Sequence, residues 1–301
     1  MRGRYRTGAA TAEVSLTPML SAKGRLIGDF TISCLGETEF QLTASYGSQA
    51  YHYRWFEQHE EDGVTVENIS DKRTGFQIAG PKARDVLAAC TRSDISDMRF
   101  LDVRRLVVGM VNCIVQRVSY TADLGYEIYC DPMDQRALWS VLWEAGQAHG
   151  MVPFGMRAMM SLRLDKFFGS WLSEFSPDYT PAETGLDRFI AWKKNADFIG
   201  RAAAEAERAK GPSRRLAAFI VEADDADVQG YEPIWLDGKV QGFCTSGGYS
   251  HHSGQSVAQG FVPADRLADG LAVEIEILGQ MRKARLVTTH LFDADGARMR
   301  G

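Results

Sequence analysis

The sequence predicts an α+β fold that ends in a small all-β domain. Up to about residue 200, strand and helix patterns alternate without the regular βαβα order of a doubly wound sheet. From residue 214 onward, six short apolar runs are separated by turn residues, which is typical of a small barrel or sandwich. An alanine-rich, charged helix between the two parts ends at Gly211–Pro212. We therefore predict one domain over residues 1–200 and a β domain over residues 214–301.

Hydrophobic periodicity assigns the elements in order. In the first part it predicts strands at 25–33, 40–47, 64–69 and 75–80, two strands within 104–120 that break around Gly109 to Asn112, and a hairpin return at 126–130. It predicts helices at 48–62, 81–90, 133–149 and 157–168. In the second part it predicts strands at 216–221, 232–238, 239–247, 257–262, 272–278 and 283–291.

Composition excludes several function classes. The chain has 301 residues, 45% of them hydrophobic, and its 34 basic and 39 acidic residues give a net charge of −5, so no basic field invites nucleic acid. The longest apolar run, 106–115, is about half of what a membrane helix needs. The five cysteines are odd in number, widely spaced and without a C-x-x-C pair, which indicates reduced thiols and a cytoplasmic location.

Common cofactor and metal motifs are missing from the sequence. It contains no G-x-G-x-x-G turn, no Walker loop and no H-E-x-x-H. Adjacent side chains such as His251 and His252 diverge, and no third ligand clusters with them, so we predict no metal site. The basic first dozen residues lack an apolar segment, so we predict no secretory signal and expect them to be poorly ordered.

Two carboxylates stand out in strand patterns. In GRLIGDFTIS (24–33), alternation places Asp29 on the face opposite Leu26 and Phe30, and that face either meets water or has a chemical role. In YEIYC (126–130), Glu127 points away from Tyr126 and Ile128. It is either an exposed hairpin residue or a carboxylate that binds a ligand.

Five stretches, 19–30, 76–87, 119–128, 180–201 and 238–250, resemble the aminomethyltransferase family in order and spacing. This family includes the T-protein of the glycine cleavage system and the folate-binding part of dimethylglycine and sarcosine dehydrogenases. The phrase LRLDKFFGSWLSEFSPDYTPAETGL (162–186) is similar to the dehydrogenase branch, and Met159–Met160 replace an Arg-Asp pair of T-proteins. The resemblance implies a folate-binding aminomethyltransferase fold, with mixed α/β lobes around a central channel, followed by the C-terminal barrel.

The resemblance also implies an activity. It points to tetrahydrofolate-dependent one-carbon transfer that gives 5,10-methylenetetrahydrofolate. The donor would be a small N-methylated amine such as dimethylglycine or sarcosine, or its iminium, oxidised by a separate flavoprotein domain or subunit. The alternatives are a glycine cleavage aminomethyltransferase that uses a lipoylated carrier, and a folate-binding module without catalysis.

Relatives in this family carry more residues ahead of the strand that begins near Gly24. We therefore expect the sheet that holds Asp29 to have an uncovered edge. Because nothing in the chain resembles a flavin site, we expect the isolated chain to be colourless and not to oxidise these amines.

By this resemblance, Asp29 lies beside the reactive end of tetrahydrofolate, where a carboxylate stabilises developing positive charge and relays a proton. Glu127 accepts the two parallel donors of the pterin 2-amino and N3–H edge. Tyr120 bonds or stacks on the ligand, or packs within the protein.

Further candidates have two readings each. Arg163 holds a folate glutamate carboxylate or pairs with a nearby acid. Trp171 and Tyr179 pack on the p-aminobenzoyl ring or within the protein. Glu174 and Glu183 keep family positions without a role that the sequence explains.

Overall fold

The computed structural model describes residues 13–301, which form two compact units. The barrel unit comprises Thr17–Asp29 and Gly155–Ala294, and the sheet unit comprises residues 13–16, Phe30–Phe154 and Asp295–Gly301. The domain limits of 1–200 and 214–301 stay a prediction.

The described residues contain strands of 4 to 12 residues and helices of 4 to 13 residues. The strands are β1 Val14–Leu20, β2 Leu26–Cys34, β3 Phe40–Thr43, β4 Thr74–Ala79, β5 Val103–Val108, β6 Val111–Gln116, β7 Gly125–Cys130, β8 Arg214–Val221, β9 Pro233–Leu236, β10 Lys239–Ser250, β11 Gln255–Pro263, β12 Ala272–Ile277 and β13 Gln280–Val287. The helices are α1 Gln49–Gln58, α2 Ala83–Cys90, α3 Gln135–Gln147, α4 Met156–Leu162, α5 Pro181–Thr184, α6 Arg201–Lys210 and α7 Ala297–Arg300.

The sheet unit is built on a four-stranded antiparallel sheet in the order β4-β7-β6-β5. One face packs against α2 and α3 in a core that includes Val115, Ile128, Leu87 and Leu138. Since side chains alternate along a strand, the neighbouring residues of β4, β6 and β7 project from the second face. The predicted strands at 75–80, within 104–120 and at 126–130 are confirmed.

A three-stranded sheet has the order β1-β2-β3, with β2 in the centre. Strand β1 lies beside the Asp29 strand, and β1 and β3 are the two edge strands, so the expected uncovered edge of this sheet stays a prediction. The sequence did not reveal β1 because Pro18 interrupts the strand pattern of its residues. A proline is tolerated within this strand since β1 lies at the edge of the sheet. The expectation for the first dozen residues lies outside the described part of the chain.

The six C-terminal strands close into a barrel in the order β10-β11-β8-β13-β12-β9. This confirms the predicted strands and decides for a barrel over a sandwich. Its interior contains Phe219, Ile234, Ala258 and Leu286. Helix α6 ends as predicted, at Gly211 with φ +84°.

Three element predictions differ from the structure. The predicted strand at 64–69 is irregular chain that leads to a 3₁₀ turn at Ser70–Lys72, and the side chain of Val64 is exposed. The predicted strand at 40–47 ends at Thr43. The predicted helix at 157–168 becomes a 3₁₀ turn after Leu162 and stops at Phe167, whose φ of +55° is left-handed. Among residues 13–301, no helix has the length and apolar character to cross a membrane.

The turn between β5 and β6 packs closely on α3, and substitution of its glycine tests this contact. Gly109 has φ +62°, and an added Cβ would lie 2.7 Å from a methyl carbon of Val141 in α3. Gly150 has φ +71° with no atom within 4 Å of such a Cβ. We expect Gly150→Ala to lower the free energy of unfolding by about 1 kcal/mol through backbone strain. Gly109→Ala should cost about 1–3 kcal/mol more through the collision. Urea denaturation of both variants checks this, and equal losses would contradict the packing argument.

Candidate functional site

A row of polar side chains crosses the second face of the four-stranded sheet. Glu127 on β7 is directly opposite Gln77 on β4 and directly opposite Gln116 on β6. The flanking residues Tyr126 and Ile128 are buried in the core of the other face. The predicted orientation of Glu127, away from these two residues, is confirmed.

The Glu127 carboxylate is held at both oxygens. Gln77 Nε2 donates to Oε1 at 3.1 Å, and the Tyr129 hydroxyl donates to Oε2 at 2.5 Å. Burial raises the pKa of Glu127, and the two donated hydrogen bonds lower it in part. Burial, together with the neighbouring carboxylate, holds the pKa of Tyr129 well above its ordinary value, so the phenol remains a donor. The site therefore contains a fixed, half-buried carboxylate with spare accepting capacity.

A glycine makes room for the tyrosine that orients Glu127. A Cβ added to Gly75 on β4 would lie 2.9 Å from Cδ1 of Tyr129. Real Cβ atoms do not approach a ring carbon so closely, so glycine at this position lets the ring lie across the strand. The position of Tyr129, and through it that of Glu127, depends on this missing side chain.

Gln116 completes the row in an unusual state. Its side chain is fully buried, and neither Oε1 nor Nε2 has a hydrogen-bond partner among the described residues. Most buried polar atoms in proteins are paired, so an orphaned amide beside a carboxylate marks this face as a candidate ligand site.

Asp29 lies near the middle of β2, between the buried residues Gly28 and Phe30. On its face Ile27 and Ser33 are buried, whereas Asp29 and Thr31 are half-buried, so this face is largely withdrawn from water. Burial raises the pKa of Asp29 from 3.8 to about 7, and a hydrogen bond with its own backbone amide lowers it in part. A carboxyl group of this kind exchanges its proton near neutral pH, which suits acid–base chemistry.

Arg163 and Glu174 form a buried ion pair in the barrel unit. The guanidinium donates from Nη1 to Glu174 Oε2 at 2.8 Å, and both side chains are at most 1% exposed. The other oxygen of Glu174 accepts from the hydroxyls of Thr245 and Ser246. The structure thus places Arg163 against an acid, which was one of its two predicted readings, and gives Glu174 a role that the sequence did not explain.

The predicted aromatic residues are placed differently from one another. Tyr120 is half-buried. Trp171 is buried and forms a β-bridge with Phe175. Tyr179 is stacked on Phe261, with ring centroids 4.2 Å apart. The ring of Tyr179 is therefore engaged within the barrel unit.

Glu183 also gains a structural role. It forms a capping box with Thr180 at the start of α5, and its carboxylate pairs with Arg214 at 3.0 Å and with Arg25 at 3.5 Å. These contacts join α5 to β8 and to the segment before β2.

The remaining candidate chemistry is structural. His251 contacts Tyr249, whereas His252 bonds Asp165 at 2.5 Å, so the two histidines diverge as predicted. No three His, Cys, Asp or Glu side chains within residues 13–301 are grouped as metal ligands. Four of the five cysteines are buried, and burial raises the pKa of Cys113 to about 12, which removes its thiol from nucleophilic chemistry.

Sequence reasoning missed Gln77, Gln116 and Tyr129. Gln77 lies directly across from Glu127 in the sheet, and Tyr129 lies two residues after it on the same strand. Strand alternation therefore carried a signal that both share the face of Glu127. The orphaned state of Gln116 had no such signal, because it depends on burial by residues distant in sequence.

Two family models match nearly the whole chain. The GCVT N-terminal domain matches residues 5–194, and the glycine cleavage T-protein C-terminal barrel domain matches residues 214–293. Their order agrees with the mixed α/β part followed by the six-stranded barrel.

Similar proteins include dimethylglycine dehydrogenases and aminomethyltransferases. The mitochondrial dimethylglycine dehydrogenase of Homo sapiens is 38% identical over 291 residues, which cover 95% of this chain and 34% of that protein. An aminomethyltransferase of Koribacter versatilis is 32% identical over 286 residues, covering 94% of this chain and 75% of that protein. The chain thus spans about a third of the length of the dimethylglycine dehydrogenases that it matches.

The fold is also that of a solved aminomethyltransferase structure. The glycine cleavage system aminomethyltransferase T from Bartonella henselae superposes with a TM-score of 0.83 over 95% of this chain and 77% of that chain, at 22% identity. The predicted aminomethyltransferase fold is confirmed.

The raised pKa of Asp29 predicts a pH-dependent stability. Between about pH 4 and pH 7, folded protein retains a proton on Asp29 that the unfolded chain has lost, so the free energy of unfolding falls as the pH rises. Asp29→Asn removes this contribution. The variant's stability relative to wild type should therefore increase from pH 4 to pH 8, by up to about 4 kcal/mol.

Urea denaturation of both proteins across this pH range measures the difference. Glu144→Gln, which removes an exposed carboxylate of α3, is the control and should give a difference that varies little with pH. A difference for Asp29→Asn as flat as that of the control would contradict the burial argument.

Proposed function

This chain belongs to the glycine cleavage T-protein (GCVT) family, and we propose from that premise that it is a tetrahydrofolate-dependent one-carbon transferase. Its product would be 5,10-methylenetetrahydrofolate. The single observation that carries the proposal is the fixed carboxylate of Glu127 on the polar row of the sheet. A carboxylate so held is suited to a ligand edge that presents two parallel N–H donors.

The residues of the row fit a reduced folate. When bound, tetrahydrofolate supplies the two amine nitrogens, N5 and N10, that accept the one-carbon unit. Glu127 would accept hydrogen bonds from the 2-amino and N3–H groups of the pterin, while Gln77 and Tyr129 hold its carboxylate in place. The orphaned amide of Gln116 supports the fit, because it leaves polar atoms for a ring with further heteroatoms.

Asp29 is proposed as the catalytic carboxylate. With a pKa of about 7 it is present in both protonation states at neutral pH. The ionised form would stabilise positive charge on the transferred carbon, and the same oxygen would take up or release a proton at N10. Because this benefit arises mainly in the transition state, Asp29 should influence the rate more than the affinity.

The remaining site residues are proposed with smaller roles. Tyr120 and Trp171 are proposed to contact the ligand, and Arg163 to bind its glutamate carboxylate. For Arg163 this requires the guanidinium to share its donors with Glu174, since one Nη group is already bonded there.

The donor is proposed to be a small N-methylated amine, such as dimethylglycine or sarcosine, oxidised to its iminium by a flavoprotein domain or subunit. The identity of 38% to a dimethylglycine dehydrogenase and the Met159–Met160 pair support this choice. The second candidate is the aminomethylated lipoyl carrier of glycine cleavage, which the similarity to bacterial aminomethyltransferases supports.

Tetrahydrofolate should stabilise the fold. At a hundredfold excess over its dissociation constant, a ligand adds about 2.7 kcal/mol, which raises the melting temperature by a few degrees in a chain of this size. Glu127→Ala should lose most of this shift, whereas Asp29→Ala should keep it and transfer the one-carbon unit at a much lower kcat. Glu144→Ala, a surface glutamate, is the matched control.

Formation of 5,10-methylenetetrahydrofolate is then measured with two donor systems, a flavin dehydrogenase with its amine and an aminomethylated lipoyl carrier. Product with the first system supports the amine donor, and product that depends on the carrier supports the second candidate. Binding without product in either system would reduce the chain to a folate-binding module. No thermal shift in wild type would overturn the folate proposal.

A further inference from the structure

Gln116 has a buried carboxamide that the protein itself leaves unsatisfied. Both of its polar atoms lack a partner among the described residues, although the side chain has no exposed surface. A buried amide in this state destabilises a fold unless something else bonds it. The proposed function so far uses Glu127 and assigns nothing specific to this amide.

The sheet determines what lies beside Gln116. In the register, Val103 of β5 is opposite it on one side and Glu127 of β7 on the other. Val103 and Ile114 belong to an apolar cluster on this face. Directly opposite residues of an antiparallel sheet have Cβ atoms about 5 Å apart, so both neighbours are close to Gln116. Of the two, only Glu127 has a polar side chain.

The two glutamine amides that flank Glu127 differ in their hydrogen bonding. Gln77 already donates to the carboxylate and fixes its orientation. Gln116 is not engaged with the carboxylate. A planar ring bonded to Glu127 would therefore present its next heteroatom to an amide whose donors are unused.

We propose that Gln116 is a second pterin-reading residue, whose Nε2 donates a hydrogen bond to the ring oxygen O4. This rests on the proposed function, in which Glu127 binds the 2-amino and N3–H groups. The carbonyl O4 is bonded to the carbon next to N3, so it lies close to the Glu127 carboxylate and is repelled by its charge. An N–H group from the neighbouring strand offsets that repulsion and favours a 4-oxo ring.

The substitution Gln116→Met tests the assignment because stability and affinity should change in opposite directions. Methionine has a similar length and no hydrogen-bonding requirement. The unliganded variant should melt at or above the wild-type temperature, since an unsatisfied amide is removed. Its affinity for tetrahydrofolate, measured anaerobically by calorimetry, should fall about tenfold.

Gln255→Met is the matched control. Gln255 is a half-buried glutamine of the barrel unit whose Oε1 also lacks a partner among the described residues. The same substitution there should leave the tetrahydrofolate affinity at the wild-type value. A fall in affinity in both variants would overturn the assignment, because it would show a general effect of the substitution.

The outcomes separate the two proposals. If wild type does not bind tetrahydrofolate, the proposed function fails and this inference fails with it. If wild type binds and Gln116→Met binds equally well, only the role of Gln116 is overturned. Should the variant not fold, a crystal structure of wild type with tetrahydrofolate decides. An Nε2 to O4 distance of about 3 Å supports the proposal, and one above about 4 Å overturns it.

Discussion

The proposed chemistry depends on the two hydrogen bonds that hold the carboxylate of Glu127. A carboxylate withdrawn from water keeps its charge only when donors replace its hydration, and here Gln77 and Tyr129 do so. The donors bond one oxygen each, and burial still raises the pKa. The carboxylate of Glu127 can therefore accept more hydrogen bonds than the protein donates to it. A ligand edge with two N–H groups would supply them.

The sheet supports this carboxylate through ordinary strand geometry. Residues of β7 alternate between the apolar core, which anchors the strand through Tyr126 and Ile128, and the polar row. Gly75 makes room for the Tyr129 ring, so the core, the glycine and the tyrosine together fix the position of one carboxylate. In the barrel unit, the buried pair of Arg163 and Glu174 has a different character. The hydroxyls of Thr245 and Ser246 donate hydrogen bonds to the second oxygen of Glu174. Removing either Arg163 or Glu174 would leave the charge of the other uncompensated.

Much of this architecture could be predicted from the sequence. Alternation located β2, β4, β7 and the barrel strands, and it oriented Glu127 correctly. It failed for β1, where Pro18 masks an edge strand, and at 64–69, where a strand-like composition finds no place in a sheet of the described chain. It also could not decide between the two readings of Arg163 or detect the orphaned Gln116, because both depend on tertiary neighbours. The resemblance to a family supplied the proposed residue roles, which alternation alone left open.

The pKa of Glu127 with and without tetrahydrofolate tests the central claim most directly. Carbon-13 NMR of the glutamate carboxyl groups, with Glu127→Gln to assign the signal, gives both values. If Glu127 binds the pterin donor edge, two added hydrogen bonds favour the charged form, and saturation with tetrahydrofolate should lower the pKa of Glu127. A pKa that is unchanged at saturation would show that the carboxylate does not meet the ligand, and would contradict the account.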